Sequence, residues 1–296
     1  MARARTGMRI FLGIAIALVS ASPATARAVP AAIYTDPAPD AAHPARMVVL
    51  HVPSGGVAIN GVAYLAQGAG LHPTLVLCHG LPGNEKNLDL AQAIRRAGWN
   101  VVTFNYRGSW GSPGRYRFAH NLDDADAVLA YLRDPATVKA LGVDTGHIVL
   151  AGHSMGGWVT ALVAGHDKAL AGAIMISAGN LGKIGKAMPR AAQISLWTDN
   201  GLEALAGTSG AIMADENIAN AAAFDFVAAA SQLTATPLLA LTSDDGLAPH
   251  TDELVKAIRA ANGTKVTALH VATDHSWSDS RIRLESEIID WLAALK

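Results

Sequence analysis

The sequence has a single cysteine among its 296 residues. One thiol cannot form an internal disulfide, so the fold must rest on a buried core, and Cys78 itself lies in an apolar run where we expect it to be unreactive. Aromatic residues make up only 5% of the chain, and the formal net charge of −1 gives no indication of a nucleic-acid partner. Clustered metal ligands are also missing, so the sequence indicates neither a metal nor an organic cofactor.

The N-terminus has the three parts of a secretory signal peptide. Residues 1–9 carry three arginines and no acidic residue, an apolar segment follows at residues 10–19, and an Ala-x-Ala site ends at Ala28. The apolar segment is shorter than the roughly 20 residues that a membrane-spanning helix needs. We therefore expect residues 1–28 to be removed, leaving an exported protein, periplasmic or secreted, without stable membrane insertion.

The rest of the chain divides by its periodicity. Residues 29–45 are rich in Pro, Ala and Asp and predict an extended arm. Residues 46–296 alternate short apolar runs with amphipathic segments, which is typical of an α/β domain with a mostly parallel sheet. Acidic residues near the start of one such segment, among them Asp124, are expected on a solvated helix face. Residues 179–235 break the alternation with Ala-rich segments and predict a small helical cap.

One motif lies where a strand is expected to turn into a helix. The apolar run at residues 148–151 is followed by Gly-His-Ser-Met-Gly at residues 152–156 and then by an apolar helical segment. A sharp turn of this kind raises the serine hydroxyl clear of the backbone at a helix N-terminus, and glycine on either side leaves room for the turn. The pattern Gly-x-Ser-x-Gly in this context indicates that Ser154 is a nucleophile.

A second loop supplies candidate donors for an oxyanion hole. It has the sequence His-Gly-Leu-Pro-Gly and follows a short apolar strand, so its glycines expose backbone N–H groups. We expect the N–H groups of Leu81 and Met155 to bind a developing oxyanion. We also expect three side chains to contact substrate: His79, which begins this loop, and Trp110 and Tyr116, which lie in the turn-rich loop after the next strand.

The general base is expected downstream of Ser154, because the chain order in this architecture is Ser, acid, His. Three histidines qualify by position. His250 follows a proline at a helix start and is expected to be a cap, and His270 lies in an apolar strand and is expected to be a core residue. His275 lies in the loop after the last expected strand, where an imidazole can reach back over the carboxyl edge of the sheet. His275 is therefore the expected base.

Two acids, Asp244 and Asp245, follow the strand expected at residues 237–242, and position alone leaves both open. As a whole, the chain resembles α/β-hydrolase-fold serine hydrolases, in the broad group of esterases, dienelactone-hydrolase-like and prolyl-oligopeptidase-like enzymes. The resemblance spans roughly residues 46–296 and rests on His79-Gly80, Tyr106-Arg107-Gly108 with Gly111 and Gly114, the motif at residues 152–157, Asp245 four residues before Pro249, and Asp274-His275. An Asp, three residues and a Pro are common at the acid loop of this group, so the resemblance selects Asp245.

The resemblance implies acyl transfer from a small or medium carboxylic ester by Ser154, His275 and Asp245, without a cofactor. Dienelactone hydrolases carry Cys where this chain has Ser154, and prolyl-oligopeptidase-type enzymes carry a propeller that we do not expect here, so neither of those specific activities is implied. Two alternatives stay open. One is a small serine peptidase or amidase on the same fold, and the other is a non-catalytic binding protein that retains it. The oligomeric state is not defined by the sequence.

Overall fold

A computed structural model describes residues 28–295, so all but the last residue of the predicted signal peptide lies outside the described part of the chain. The strands in this part are β1 Arg46–Ser54, β2 Val57–Leu65, β3 His72–Cys78, β4 Asn100–Phe104, β5 Val143–His153, β6 Gly172–Ile176, β7 Leu238–Ser243 and β8 Val266–Val271. They form one sheet in the order β1-β2-β4-β3-β5-β6-β7-β8. The β1–β2 and β2–β4 pairs are antiparallel and all other pairs are parallel, which confirms the predicted mostly parallel sheet.

Helices cover both faces of this sheet, and for that reason β6 and β7 are buried along their whole length. The α-helices of the described residues are α1 Leu88–Arg96, α2 Phe118–Arg133, α3 Pro135–Leu141, α4 Met155–His166, α5 Leu181–Ala187, α6 Arg190–Asp199, α7 Gly210–Ala219, α8 Ala248–Ala260 and α9 Arg281–Ala293. One face carries a core around Phe118 and Trp158, and the other a core around Trp99 and Trp277. Within residues 28–295, no helix is long and apolar enough to cross a membrane.

The cap predicted between β6 and β7 is helical. It contains α5, α6 and α7 and two short 3-10 helices, Leu202–Ala204 and Phe226–Leu233. Two contacts fasten it to the domain. The indole Nε1 of Trp158 in α4 donates to the carbonyl oxygen of Phe224 at 2.7 Å. The carboxylate of Glu216 in α7 accepts the first N–H groups of α2, which satisfies donors that a helix N-terminus leaves unpaired.

The segment predicted as an extended arm lies against the domain in the structure. It contains a short 3-10 turn, Ala31–Ile33, and several hydrogen bonds hold it to the domain. Arg96 of α1 donates through Nη2 to the carbonyl oxygen of Ile33 at 2.9 Å, and Gln67 donates through Nε2 to that of Ala38 at 2.7 Å. These contacts fix the chain that precedes β1.

The position of Asp124 corrects the expectation of a solvated helix face. In the helix α2, Asp124 lies on the same face as Val128 and Leu132, which follow it by one and two turns, and this face is turned into the interior, where Asp124 is fully buried. The guanidinium Nε of Arg107 lies 2.6 Å from its carboxylate, and the Arg107 backbone N–H donates to the same group at 2.8 Å. A buried charge is tolerated when it is paired and hydrogen-bonded in this way.

Candidate active site

Ser154 lies in the turn that joins β5 to α4. Its backbone has φ 58° and ψ −118°, a region that residues other than glycine rarely adopt. The turn is held by a hydrogen bond from the Ser154 N–H to the carbonyl oxygen of Ile176 in β6, at 2.8 Å. Ser154 therefore occupies the strained strand-to-helix turn that the Gly-x-Ser-x-Gly pattern predicts, directly before the N-terminus of α4.

The two glycines of the motif are required by close backbone contacts. A Cβ atom on Gly152 would lie 2.0 Å from the carbonyl oxygen of Gly156. A Cβ atom on Gly156 would lie 2.1 Å from the carbonyl oxygen of Cys78 at the end of β3. Both distances are far below van der Waals contact, and backbone atoms cannot rotate away as a side chain can. The motif thus sets how closely α4 approaches β3 and β5.

Replacing Gly156 with alanine should therefore destabilise the whole domain. We expect the free energy of unfolding to fall by about 2 kcal/mol or more, because overpacking against backbone forces the elements apart. Urea denaturation measures this difference. The matched control is Gly146→Ala, where the nearest atom to the new Cβ is the Asp144 side-chain Oδ1 at 3.3 Å. Equal losses in the two variants would contradict the steric explanation.

The expected base and one of the two candidate acids lie in contact. His275 Nδ1 is 2.6 Å from Asp245 Oδ2, and the Asp245 side chain is only 3% exposed. Burial raises the pKa of Asp245, but hydrogen bonds from His275 and from the Leu247 N–H outweigh it, so this pKa lies below its usual value. Asp245 is therefore a carboxylate at neutral pH. It can hold the His275 imidazole in one orientation and stabilise its protonated form.

Asp244, the acid that precedes Asp245, contacts a different histidine. Asp244 is 64% exposed, and its Oδ1 lies 3.0 Å from Nε2 of His270. His270 was expected to be a core residue, but it lies half exposed on β8, because β8 is the edge strand of the sheet and only part of it is covered. Sequence position left both Asp244 and Asp245 open as the acid, and in the structure it is Asp245 that contacts His275.

A single cavity brings together the residues expected to carry the chemistry. It has a volume of about 850 Å³, and its lining includes Ser154, Asp245 and His275 as well as Leu81 and Met155, the two residues proposed to donate to an oxyanion. The cap supplies most of the remaining wall, through Leu181, Lys183, Ile184, Ala187, Met188, Pro189, Leu196, Trp197 and Asn200. Most of the cap side chains that line this cavity are thus apolar. Among the described residues, no group of three or more His, Cys, Asp or Glu side chains is arranged to hold a metal ion.

The three side chains expected to contact substrate lie outside this lining and contact the loops around it instead. Tyr116 is fully buried, and its hydroxyl donates to the sulfur of Met155 at 2.9 Å. Trp110 Nε1 donates to the carbonyl oxygen of Pro82 at 2.7 Å. His79 is buried, and its Nδ1–H donates to the carbonyl oxygen of Gly80 at 2.7 Å. A polar atom of each ring thus bonds neighbouring backbone or sulfur, and these bonds support the loop at residues 79–83 and the first residue of α4.

Sequence reasoning assigned no chemical role to His153, which precedes Ser154. Its Nε2–H donates to the backbone carbonyl oxygen of His275 at 2.8 Å, and the two imidazole rings lie 4.7 Å apart between centroids. The end of β5 is thereby tied to the loop that carries the base. Position next to Ser154 was the only sequence signal for this contact.

The buried His79 and His153 predict that stability depends on pH. Burial lowers the pKa of each imidazole from 6.5 to about 4. Between these values the unfolded chain binds more protons than the folded one, so the free energy of unfolding falls as the pH drops from about 7 to about 4. We expect up to about 1.4 kcal/mol per pH unit for each histidine. Urea denaturation across this range measures the slope, and an unchanged slope in the variant carrying both His79→Gln and His153→Gln would contradict the assignment.

Comparison with known proteins finds a family model and a curated relative that match the sequence of this chain. The model of the "Alpha/beta hydrolase family" matches residues 75–286, a range that begins within β3 and ends within α9. An uncharacterised protein of Mycobacterium tuberculosis is 30% identical over 103 residues, which is 33% of this chain and 37% of that protein. The chain therefore spans little more than a third of the length of this curated relative.

Solved structures share the fold. An acylaminoacyl peptidase of Pyrococcus horikoshii superposes with a TM-score of 0.65 at 16% identity, over 84% of this chain and 41% of that one. A thermophilic carboxylesterase cloned from a metagenomic library superposes with a TM-score of 0.62 at 20% identity, over 86% of this chain and 89% of that one. Likeness at such identities concerns the fold alone. With the family model matching most of the chain, the protein belongs to the alpha/beta hydrolase family.

Proposed function

We propose that this protein is an exported serine hydrolase that cleaves a small or medium carboxylic ester through an acyl-enzyme on Ser154. The observation that carries the proposal is the 2.6 Å contact between His275 and the buried Asp245, at a cavity that Ser154 also lines. A serine hydroxyl needs a base, and the base needs an oriented and charge-balanced imidazole. Export rests on the pattern of residues 1–28.

The proposed reaction has two halves. In the first, Ser154 Oγ attacks the ester carbonyl and His275 Nε2 takes its proton, while the backbone N–H groups of Leu81 and Met155 bind the oxyanion. His275 then gives this proton to the leaving alcohol, and the acyl group stays on Ser154. In the second half, His275 takes a proton from water as the water attacks the acyl-enzyme. The bond between the acyl group and Ser154 Oγ then breaks, His275 returns the proton to Oγ, and the acid is released. Asp245 remains a carboxylate throughout and balances the imidazolium charge.

The cavity supports a small-molecule substrate. Its volume of about 850 Å³ lies within the range of about 300–1,000 Å³ that such sites occupy. The wall contributed by Ile184, Met188, Leu196 and Trp197 is apolar and favours an ester with a hydrocarbon part.

The proposal is tested by covalent labelling and turnover together. A fluorophosphonate probe should add to the protein, and the modified peptide should contain Ser154. The purified protein should also hydrolyse p-nitrophenyl butyrate faster than the corresponding p-nitroanilide. Faster cleavage of the anilide would favour the peptidase or amidase alternative. Neither labelling nor turnover would favour a non-catalytic binding protein, and the proposal would fail.

The export part has a separate test. The full chain is expressed in a Gram-negative host, and the periplasmic fraction is analysed by intact mass. The expected product begins at Val29. A product that keeps residues 1–28 and stays in the cytoplasm would contradict export without affecting the catalytic proposal.

A further inference from the structure

Two of the hydrogen-bond donors among the cavity-lining residues lie near each other, away from the proposed chemistry. They are His250, at the start of α8, and Lys183, in the cap helix α5. His250 Nδ1 accepts the backbone N–H of Asn180 at 3.2 Å. A neutral imidazole that accepts at Nδ1 carries its proton on Nε2. Within residues 28–295 this Nε2–H has no hydrogen-bond partner, so His250 offers a free donor at a residue that lines the cavity.

Burial and the nearby Lys183 ammonium favour the neutral form of His250. Burial lowers its pKa, and the Lys183 ammonium lowers it further, against weaker opposing effects from Glu253, Asp225 and Asp245. Lys183 Nζ lies 2.5 Å from the Glu253 carboxylate, so its charge is balanced while further N–H groups of the ammonium stay available. This corner of the cavity therefore presents several donors with little net charge.

The apolar side chains of the cap indicate which kind of substrate would pair with these donors. Ile184, Met188, Leu196 and Trp197 line the same cavity and offer only apolar surface or, for Trp197, an indole. A ligand made only of hydrocarbon would fill that part well but would cover the His250 N–H without bonding it. Covering a donor without pairing it is unfavourable, and a site that pairs it discriminates strongly for the ligand with the matching acceptor.

We propose that His250 and Lys183 form a second polar subsite, which binds an acceptor oxygen of the substrate at a distance from the scissile ester. The substrate class is an oxo- or carboxyl-substituted ester, in which a carbonyl-type oxygen accepts from His250 Nε2–H. This inference rests on the proposed esterase function and refines it.

The test compares substrates that differ only in this oxygen. The acyl pair is p-nitrophenyl pentanoate and p-nitrophenyl 4-oxopentanoate, and the alcohol pair is the acetate esters of butanol and of 4-hydroxybutan-2-one. We expect wild type to favour the oxo member of at least one pair in kcat/KM. In His250→Phe the oxo-to-plain ratio should fall about tenfold. His250→Gln, which keeps an N–H donor, should retain most of the ratio.

Further experiments distinguish a ketone oxygen from a carboxylate oxygen in the substrate and provide control variants. If the natural oxygen is a carboxylate, p-nitrophenyl hemiglutarate is preferred over the oxo ester, and Lys183→Met removes that preference. His166→Phe is the matched control, because His166 is exposed, bonds Asp126 at 2.8 Å and lies outside the cavity lining. Should His250→Phe fail to fold, His250→Leu takes its place.

The outcomes distinguish this inference from the proposed function. Wild type that hydrolyses the plain esters without an oxo or carboxyl preference overturns the subsite and leaves the esterase proposal standing. Equal oxo-to-plain ratios in wild type and His250→Phe for both pairs also overturn it. Wild type that neither reacts with the fluorophosphonate nor hydrolyses any ester overturns the proposed function itself.

Discussion

Replacing Ser154 with alanine is expected to lower kcat/KM for p-nitrophenyl butyrate by about 10⁴-fold or more. The alanine removes the only atom that can form the acyl-enzyme, and the remaining rate comes from binding and the oxyanion donors alone. The fold should persist, because the side chain shrinks at a position where the strained φ of 58° is set by the backbone contacts of the two motif glycines. The initial rate of p-nitrophenol release measures the loss.

The matched control for this variant is Ser195→Ala. Ser195 lies on α6, and its hydroxyl donates to the Asp199 carboxylate on the surface of the cap at 3.0 Å. This substitution deletes the same atom without touching the cavity, and kcat/KM should stay within about twofold of wild type. If Ser154→Ala keeps wild-type activity, Ser154 is not the nucleophile and the proposed mechanism is wrong.

Replacing Asp245 with asparagine is expected to lower kcat by about 10⁴-fold. The asparagine fills the same space beside His275, but its amide nitrogen can donate to Nδ1 where the carboxylate accepts from it. The imidazole then carries its proton on Nε2, where it cannot take the proton of Ser154, and its protonated form loses a balancing charge. KM should change much less than kcat, because Asp245 acts through His275 rather than on the substrate.

The chain offers a close control for this prediction in Asp244→Asn. Asp244 is the preceding residue and also has a histidine partner, His270, but it is 64% exposed and lies outside the cavity lining. An activity near that of wild type is expected for it. If the two asparagine variants lose activity equally, the loss reflects damage to the loop after β7 rather than the His275 contact.

The fold could be predicted because its signals are local. The alternation of apolar runs and amphipathic segments gave the mostly parallel sheet, and the break in that alternation gave the helical cap between β6 and β7. The need for glycine on both sides of the Ser154 turn can likewise be read from the few residues of the motif. Such features depend on neighbours in sequence, so periodicity and motif spacing are sufficient to find them.

The cavity wall could not be predicted in the same way. Trp197 lines it although it is far from Ser154 in sequence, and Tyr116, expected there, is buried against Met155. Which side chain faces the nucleophile depends on how the cap helices settle on the domain, and neither composition nor spacing contains that information. The burial of Asp124 has the same origin, because its pairing with Arg107 depends on the phase of α2 against the sheet.

The bond from His153 to the His275 carbonyl has a consequence for how the protein is made. The two residues are 122 positions apart. His153 ends β5 and His275 follows β8, and these strands are separated in the sheet by β6 and β7. During synthesis the serine turn leaves the ribosome well before the segment with the base. A nascent chain that ends before β8 has Ser154 but lacks His275, the imidazole proposed to activate it. On the proposed mechanism, hydrolysis begins only when the last strand is in place, so unfinished chains are inert toward esters in the cell that makes them.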